Sequence, residues 1–289
     1  MKKPFAWYGG KEALASTLVS LLPRHKVYVE VFGGSGALLF AKEPSALEIF
    51  NDLDSGVVNF FRVLRDSQQA TALQSRLSFT PYAREEYYDC LCHWEEALDP
   101  VEKARAWYVG VMQSMNCSIR NTGWSSTKMP GSNPARTWTN SIAHLSACTH
   151  RLAHVQIDHR DFEAVIHAYD SPETCFYLDP PYLLDTRRKG YTYHHEMREA
   201  DHRRLLDCIQ QIKGMALLSG YAHPIYQEAL TYWECIALTA RCPSAVRASV
   251  ALGAIPPDDL KRTECIWMNP ACVRRQLSLF QELQSTEAS

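Results

Sequence analysis

An α/β fold, with a mostly parallel sheet, helices on both faces and a helical insertion, follows from three observations. Short β-rich apolar runs alternate with stretches of helical spacing. The strand signal fades between about residues 56 and 153. Two of the runs end in strong chain breakers, one in glycines and one in prolines.

The runs are "KVYVEVF", "SALEIF", "HVQI", "TCFYL", "MALLS" and "CIALTA". Among the intervening stretches, "ADHRRLLDCIQQIK" brings Leu205, Leu206, Ile209 and Ile212 to one helical face. Inside the insertion, "EEYYDCLCHWEEAL", "VEKARAWYVGVMQSM" and "NSIAHLSACTHRL" read as helices around a polar loop at 116–139. That loop is too long for a simple connector and carries Arg120, Trp124, Lys128, Arg136 and Trp138; a loop of this length is a functional or a disordered segment.

With 289 residues, 46% of them hydrophobic, the chain can bury a sizeable core. No apolar run approaches the roughly 20 residues that span a bilayer. The start "MKKPFAWYGGKEALA" lacks the apolar stretch of a secretory signal, so a cytoplasmic site of action is expected. Ten scattered cysteines without a C-x-x-C pair predict reduced, mostly buried thiols and no metal site. A net charge of −2 excludes a nonspecific nucleic-acid coating protein, so any such surface must be local. The segments 185–204 and 241–262 gather Arg, Lys and His.

Two stretches carry chemistry. In "YVEVFGGSGALLF" a strand runs into Gly33, Gly34, Ser35 and Gly36 and then an apolar helix, which lets backbone amides approach a ligand. Further on, "ALEIFND" ends a second strand at Asn51 and Asp52. A carboxylate there can accept both hydroxyls of a ribose, which points to an adenosine-containing ligand. In "TCFYLDPPYLLDT", Pro180 and Pro181 cannot donate ladder hydrogen bonds, so the chain leaves the sheet and presents Asp179 and Tyr182 at a ligand-bearing edge. This suits an amine that must be alkylated. A nucleobase amine is a poor nucleophile because its lone pair is delocalised, and hydrogen bonds to the Asp179 carboxylate and the Pro180 carbonyl favour a tetrahedral nitrogen. Tyr182 can stack on a base turned out of the duplex.

Together "WYGGK" (7–11), "EVFGGSG" (30–36), "FND" (50–52), "RDF" (160–162) and "DPPY" (179–182) resemble the amino-methyltransferases that act on adenine in DNA with S-adenosylmethionine, in their alpha order. The resemblance implies a class I methyltransferase (Rossmann-like) fold. It implies a catalytic domain from 1–55 and 154–270, a target-recognition insertion at 56–153 and a tail at 271–289. It further implies that Trp7, Tyr8, Lys11, Phe32, Gly34, Gly36, Asp52, Asp161, Phe162 and Asp179 face the cofactor. Asp179, Pro180, Pro181 and Tyr182 would be catalytic. Taken alone, Trp7 and Lys11 would read as a packed aromatic beside a solvated lysine, and Asp161 as a helix N-cap.

For double-stranded DNA the resemblance points to Asn116, Arg120, Asn121, Trp124, Lys128 and Arg136 in the insertion. Arg187, Arg188 and Lys189 follow in the loop after Tyr182. "QSMNCSIRNTGWSSTKM" departs from the family's usual recognition pattern, so no recognised DNA word is inherited. Tyr191 and Tyr193 are candidates to wedge or stack, and Tyr221 and Pro224 to wall a base pocket. Gln276, Leu277, Ser278, Leu279 and Phe280 resemble the pentapeptide by which many bacterial proteins dock on the replicative sliding clamp. Three other readings stand beside this one. Cytosine N4 methylation is disfavoured because such enzymes more often carry Ser at the position of Asp179. A non-catalytic DNA-binding adaptor leaves the intact "DPPY" without a use. A nicotinamide oxidoreductase lacks the third fingerprint glycine in "GGSGAL".

Overall fold

Seven strands form where the β-rich runs fall: β1 (Val27–Glu30), β2 (Leu47–Asn51), β3 (Val155–Asp158), β4 (Thr174–Leu178), β5 (Met215–Gly220), β6 (Glu234–Arg241) and β7 (Lys261–Met268). The structure is a computed structural model that describes residues 1–120, 122–129, 131–187, 193–241 and 261–277. The seven-stranded sheet has the order β3-β2-β1-β4-β5-β7-β6. The β2–β3, β1–β4 and β4–β5 pairs are parallel, and β7 runs antiparallel to both β5 and β6. Every residue of β4 and β5 is buried, as expected of strands covered on both faces. The strand order turns back at β1, so the carboxyl ends of β1 and β4 lie at the kind of edge where such sheets receive ligands.

Two compact units divide the chain. The first comprises Met1–Glu12, Gly33–Asp161 and Tyr191–Glu196. It holds β2, β3, the short α2 (Ala37–Ala41) and the helices between β2 and β3: α3 (Ser55–Arg65), α4 (Ser67–Ser78), α5 (Arg84–His93), α6 (Pro100–Met112) and α7 (Pro134–Leu152). These helices start where the sequence supplies caps. The Asp54 carboxylate accepts from the amides of Gly56 and Val57, Asp66 caps α4 from Gln68 and Gln69, and Asp99 precedes Pro100 at the start of α6. Their buried faces meet in an aromatic core in which Phe60 stacks on Tyr108 at 5.2 Å and Phe5 meets Trp107 edge-on at 5.1 Å. Below it, Glu48 of β2 is sealed in with Lys42 and with Arg151 of α7, each 2.5 Å away. Burial opposes the Glu48 charge, yet the hydrogen bonds from Arg151 and Lys42 hold its carboxyl below the usual range.

One helix boundary departs from the expectation. α7 begins at Pro134, inside the stretch 116–139 that reads as loop. Proline at the first helical position has its φ already set, and the Asn133 side chain accepts the Arg136 amide at 3.1 Å. Trp138 then points into the core, its indole donating to the Thr80 carbonyl at 3.0 Å.

The second unit comprises Ala13–Phe32, Phe162–Gly190 and Met197–Ser289. It holds β1 and β4 to β7 with α1 (Ala15–Ser20), α8 (Phe162–Tyr169), α9 (Glu199–Ile209) and α10 (Pro224–Ala229). Residues 270–277 are helical and bury Cys272, so the start of the stretch 271–289 is ordered within this unit. Asn269 closes the end of β7, accepting from Ala216 and Cys272 and donating to Gly214. The described cysteines are free thiols, most of them buried. No described helix is long and apolar enough to cross a membrane.

Candidate active site

In the first unit, the glycine turn after β1 and the acid after β2 are tied together. The Gly33 amide donates to the Asn51 carbonyl at 2.8 Å, and a Cβ at Gly33 would sit 2.2 Å from the Phe50 ring. Gly34 takes a φ of +49° and Gly36 a φ of +67°, both natural to glycine. A Cβ at Gly34 would lie 2.9 Å from the Trp7 indole, so Trp7 rests directly on bare backbone. The Gly34 amide donates to one Asp52 oxygen at 2.7 Å and the Asp54 amide to the other at 2.8 Å. Burial, with the Asp54 charge adding to it, pushes the Asp52 carboxyl up to about 6.

The remaining residues of this set surround the same turn. Lys11 is buried, 7% exposed, with Nζ donating to the Gly9 carbonyl at 3.2 Å, which rules out the solvated alternative. The Lys3 side chain is largely covered nearby, its Nζ 3.8 Å from Glu12. Burial lowers its ammonium pKa, and the neighbouring Lys11 charge adds to the shift. The Tyr8 carbonyl accepts from the Tyr193 hydroxyl at 3.3 Å, and the two rings meet edge-on at 5.7 Å. Asn51 and Arg160 exchange a reciprocal pair of hydrogen bonds, which fastens the residue before Asp161 to the end of β2. His194 stands 3.7 Å from Asp54, and although burial opposes it, this histidine holds the Asp54 carboxyl below its ordinary range.

In the second unit, Phe32 and Asp179 emerge side by side, because Val31 donates to the Tyr177 carbonyl where β1 and β4 end. Phe32 packs on Phe162 at 5.8 Å, and the Arg204 guanidinium lies 4.5 Å over the Phe162 ring. Asp179 and Tyr182 are half-buried, whereas Pro180 is buried. The Tyr182 hydroxyl donates to Glu264 of β7, and its ring meets Tyr221 edge-on at 4.7 Å. Burial, joined by the Asp179 and Glu264 carboxylates, raises the Tyr182 phenol well above its usual value. Beneath this lies a buried pair, His202 Nδ1 and the Tyr226 hydroxyl, 2.6 Å apart. Burial brings the His202 imidazole down to about 4, so it stays neutral. Tyr226 in turn stacks on Trp267 at 5.1 Å.

The residues expected at DNA are more dispersed. Arg120, Lys128 and Arg136 are exposed, Arg136 on the first turn of α7. Trp124 turns inward: its indole donates to Gln113, its ring packs on Tyr82 at 5.4 Å, and Arg84 lies over it. A bridge between Ser114 and Trp124 anchors the loop to the end of α6. Asn116 is half-buried, and so is Arg187. Asn121, Arg188, Lys189, Tyr191 and the stretch 242–260 lie outside the described residues, as do Ser278, Leu279 and Phe280.

Sequence reasoning missed Glu264, the His194–Asp54 contact and the His202–Tyr226 pair. The only trace of Glu264 in the sequence is an acid inside the otherwise strand-like "KRTECIWM".

A glycine turn closed by an acid from the neighbouring strand, with an Asp-Pro-Pro-Tyr exit from β4, defines a class I methyltransferase. The chain belongs to the D12 class N6 adenine-specific DNA methyltransferase family, whose model matches residues 7–229. It is similar to the type II methyltransferase M1.LlaDCHI of Lactococcus lactis subsp. cremoris, with 27% identity over 245 residues that cover 78% of this chain and 84% of that protein. It is also similar to the DNA N-6-adenine-methyltransferase of Escherichia phage P1, with 22% identity over 216 residues. That match covers 71% of this chain and 27% of the phage protein.

Proposed function

We propose that this protein transfers a methyl group from S-adenosylmethionine to the exocyclic N6 amine of an adenine extruded from double-stranded DNA, at sites of defined sequence. The observation that carries the reading is Asp179–Tyr182 leaving a fully buried β4 at its carboxyl end, with the tyrosine ring held at its hydroxyl.

The residues of the glycine turn fit the methyl donor. Gly34 and Gly36 shape the floor, Asp52 accepts the ribose hydroxyls, Lys11 faces the donor's carboxylate, and Trp7 and Tyr8 cover its methionine part. Phe32, Asp161 and Phe162 flank the adenine of the donor. When bound, S-adenosylmethionine supplies an electrophilic methyl carbon on a sulfonium. Asp179 and the Pro180 carbonyl accept the two protons of the target amine and aim its lone pair. As the nitrogen gains positive charge, the Asp179 carboxylate stabilises it. Pro181 fixes the direction of the exit, and Tyr182 stacks on the base. Arg120, Lys128, Arg136 and Arg187 contribute phosphate contacts or base readout, with Asn116, Asn121, Arg188 and Lys189 in the same role. Trp124 holds the recognition loop.

The tail residues Gln276 and Leu277, with Ser278, Leu279 and Phe280, are proposed to engage a bacterial sliding clamp. Gln276 donates to the Leu21 carbonyl in the same unit, so docking has to release this contact. A peptide of residues 272–284 that shows no binding to a clamp refutes this part. The catalytic reading is tested by incubating unmethylated DNA with labelled donor and digesting it to nucleosides. Label in N6-methyldeoxyadenosine is expected, and label in N4-methyldeoxycytidine refutes the assignment to adenine.

A further inference from the structure

We propose that Glu264 is the positioning residue for Tyr182, fixing the plane of the ring on which the extruded base stacks; the proposal rests on the reading of Tyr182 given above. A stacking platform contributes most when its plane is set before the base arrives. Tyr182 follows two prolines at the exit from β4 and is half-buried. Two contacts on it come from β7 and from the residue after β5. Its hydroxyl donates to Glu264, a residue 5% exposed, and Tyr221, the first residue after β5, meets its ring edge-on.

The sheet explains how residues so far apart in sequence meet. β5 lies between β4 and β7, and β7 runs antiparallel to it. Gly220, the last residue of β5, pairs with Cys265. Glu264 therefore stands one step beyond the last β5 pair, at the edge where Asp179 and Tyr182 leave β4. A strand position this well buried is ordinarily filled by an apolar side chain, which avoids desolvating a charge. A carboxylate accepting from a phenol makes a charge-assisted bond, stronger and more directional than packing alone.

The test uses the full-length chain and labelled methyl transfer to unmethylated bacterial DNA, with donor affinity measured separately. Glu264→Leu is expected to lower kcat by about tenfold or more with donor affinity unchanged, because only alignment at the base is lost. Glu264→Gln still accepts from the phenol and is expected to stay within about threefold of wild-type kcat. Tyr182→Phe breaks the same bond from the other end, so the double variant Tyr182→Phe/Glu264→Leu should be no slower than the slower single variant. Wild-type kcat in Glu264→Leu, a Gln variant as slow as the Leu variant, or losses that multiply in the double variant each overturn the proposal. If Glu264→Leu does not fold, Tyr182→Phe decides alone: reduced kcat supports the proposal and wild-type kcat overturns it. Tyr182→Ala separates the two layers. Wild-type kcat there overturns the stacking role itself, whereas an inactive Tyr182→Ala beside an unimpaired Glu264→Leu overturns only the part played by Glu264.

Discussion

Asp52 follows β2 with both carboxylate oxygens accepting backbone amides, and burial still raises its carboxyl to about 6. Its ordinary value is near 3.9, so between about pH 4 and pH 6 the folded protein binds a proton that the unfolded chain has lost. The stability this gives is complete below about pH 4 and is lost as pH rises through 6. In the proposed ribose role, donor binding runs the other way. Ribose hydroxyls donate best to the ionised acid, so the donor Kd should rise as pH falls below 6, by at most about tenfold per pH unit. Calorimetric titration at pH 5 and pH 7.5 measures this. Equal affinities at the two values would remove Asp52 from the ribose role.

At the scale of elements, the turn after β1 carries a sharp prediction. Gly34 combines a positive φ with an indole 2.9 Å from any added Cβ. Gly34→Ala should displace Trp7 and weaken donor binding by about tenfold or more while the fold persists, the strain being of order 1–3 kcal/mol. Fluorescence titration of donor binding checks it. The second prediction concerns β2 and α7. Glu48→Ala would leave Lys42 and Arg151 buried without their acid, at a cost of about 3–5 kcal/mol, and thermal denaturation should show a matching drop in Tm.

The same scale shows what the sequence makes legible. β4 coincides with "TCFYL", because an apolar run closed by prolines leaves little choice of boundary. The glycine turn and the acid after β2 were equally legible, since both follow strand ends. The start of α7 was not, because its polar first turn reads as loop until Pro134 is recognised as an opening residue. Glu264 was out of reach for a different reason. Its partner Tyr182 lies in another strand's exit loop, and only the antiparallel placement of β7 brings them together. His202 was hidden in the same way, being one polar residue on the amphipathic face of α9 until Tyr226 is seen against it.

For the whole molecule, a net charge of −2 means that DNA must be gripped by local cations against an overall unfavourable field. Arg120, Lys128 and Arg136 are exposed on the insertion. If each neutralises one phosphate, replacing all three with alanine should reduce the slope of log K against log salt by about 2.7. An unchanged slope would show that the insertion does not supply the phosphate contacts.

In the proposed reaction the chemistry depends on one carboxylate at the end of β4, Asp179. The most direct measurement is labelled-methyl transfer to unmethylated DNA by the wild-type chain and by Asp179→Ala, with donor affinity determined for both. The wild type should yield N6-methyladenine, and the variant should turn over at least about a hundredfold more slowly with donor binding largely retained. Near wild-type methylation by Asp179→Ala would contradict that dependence.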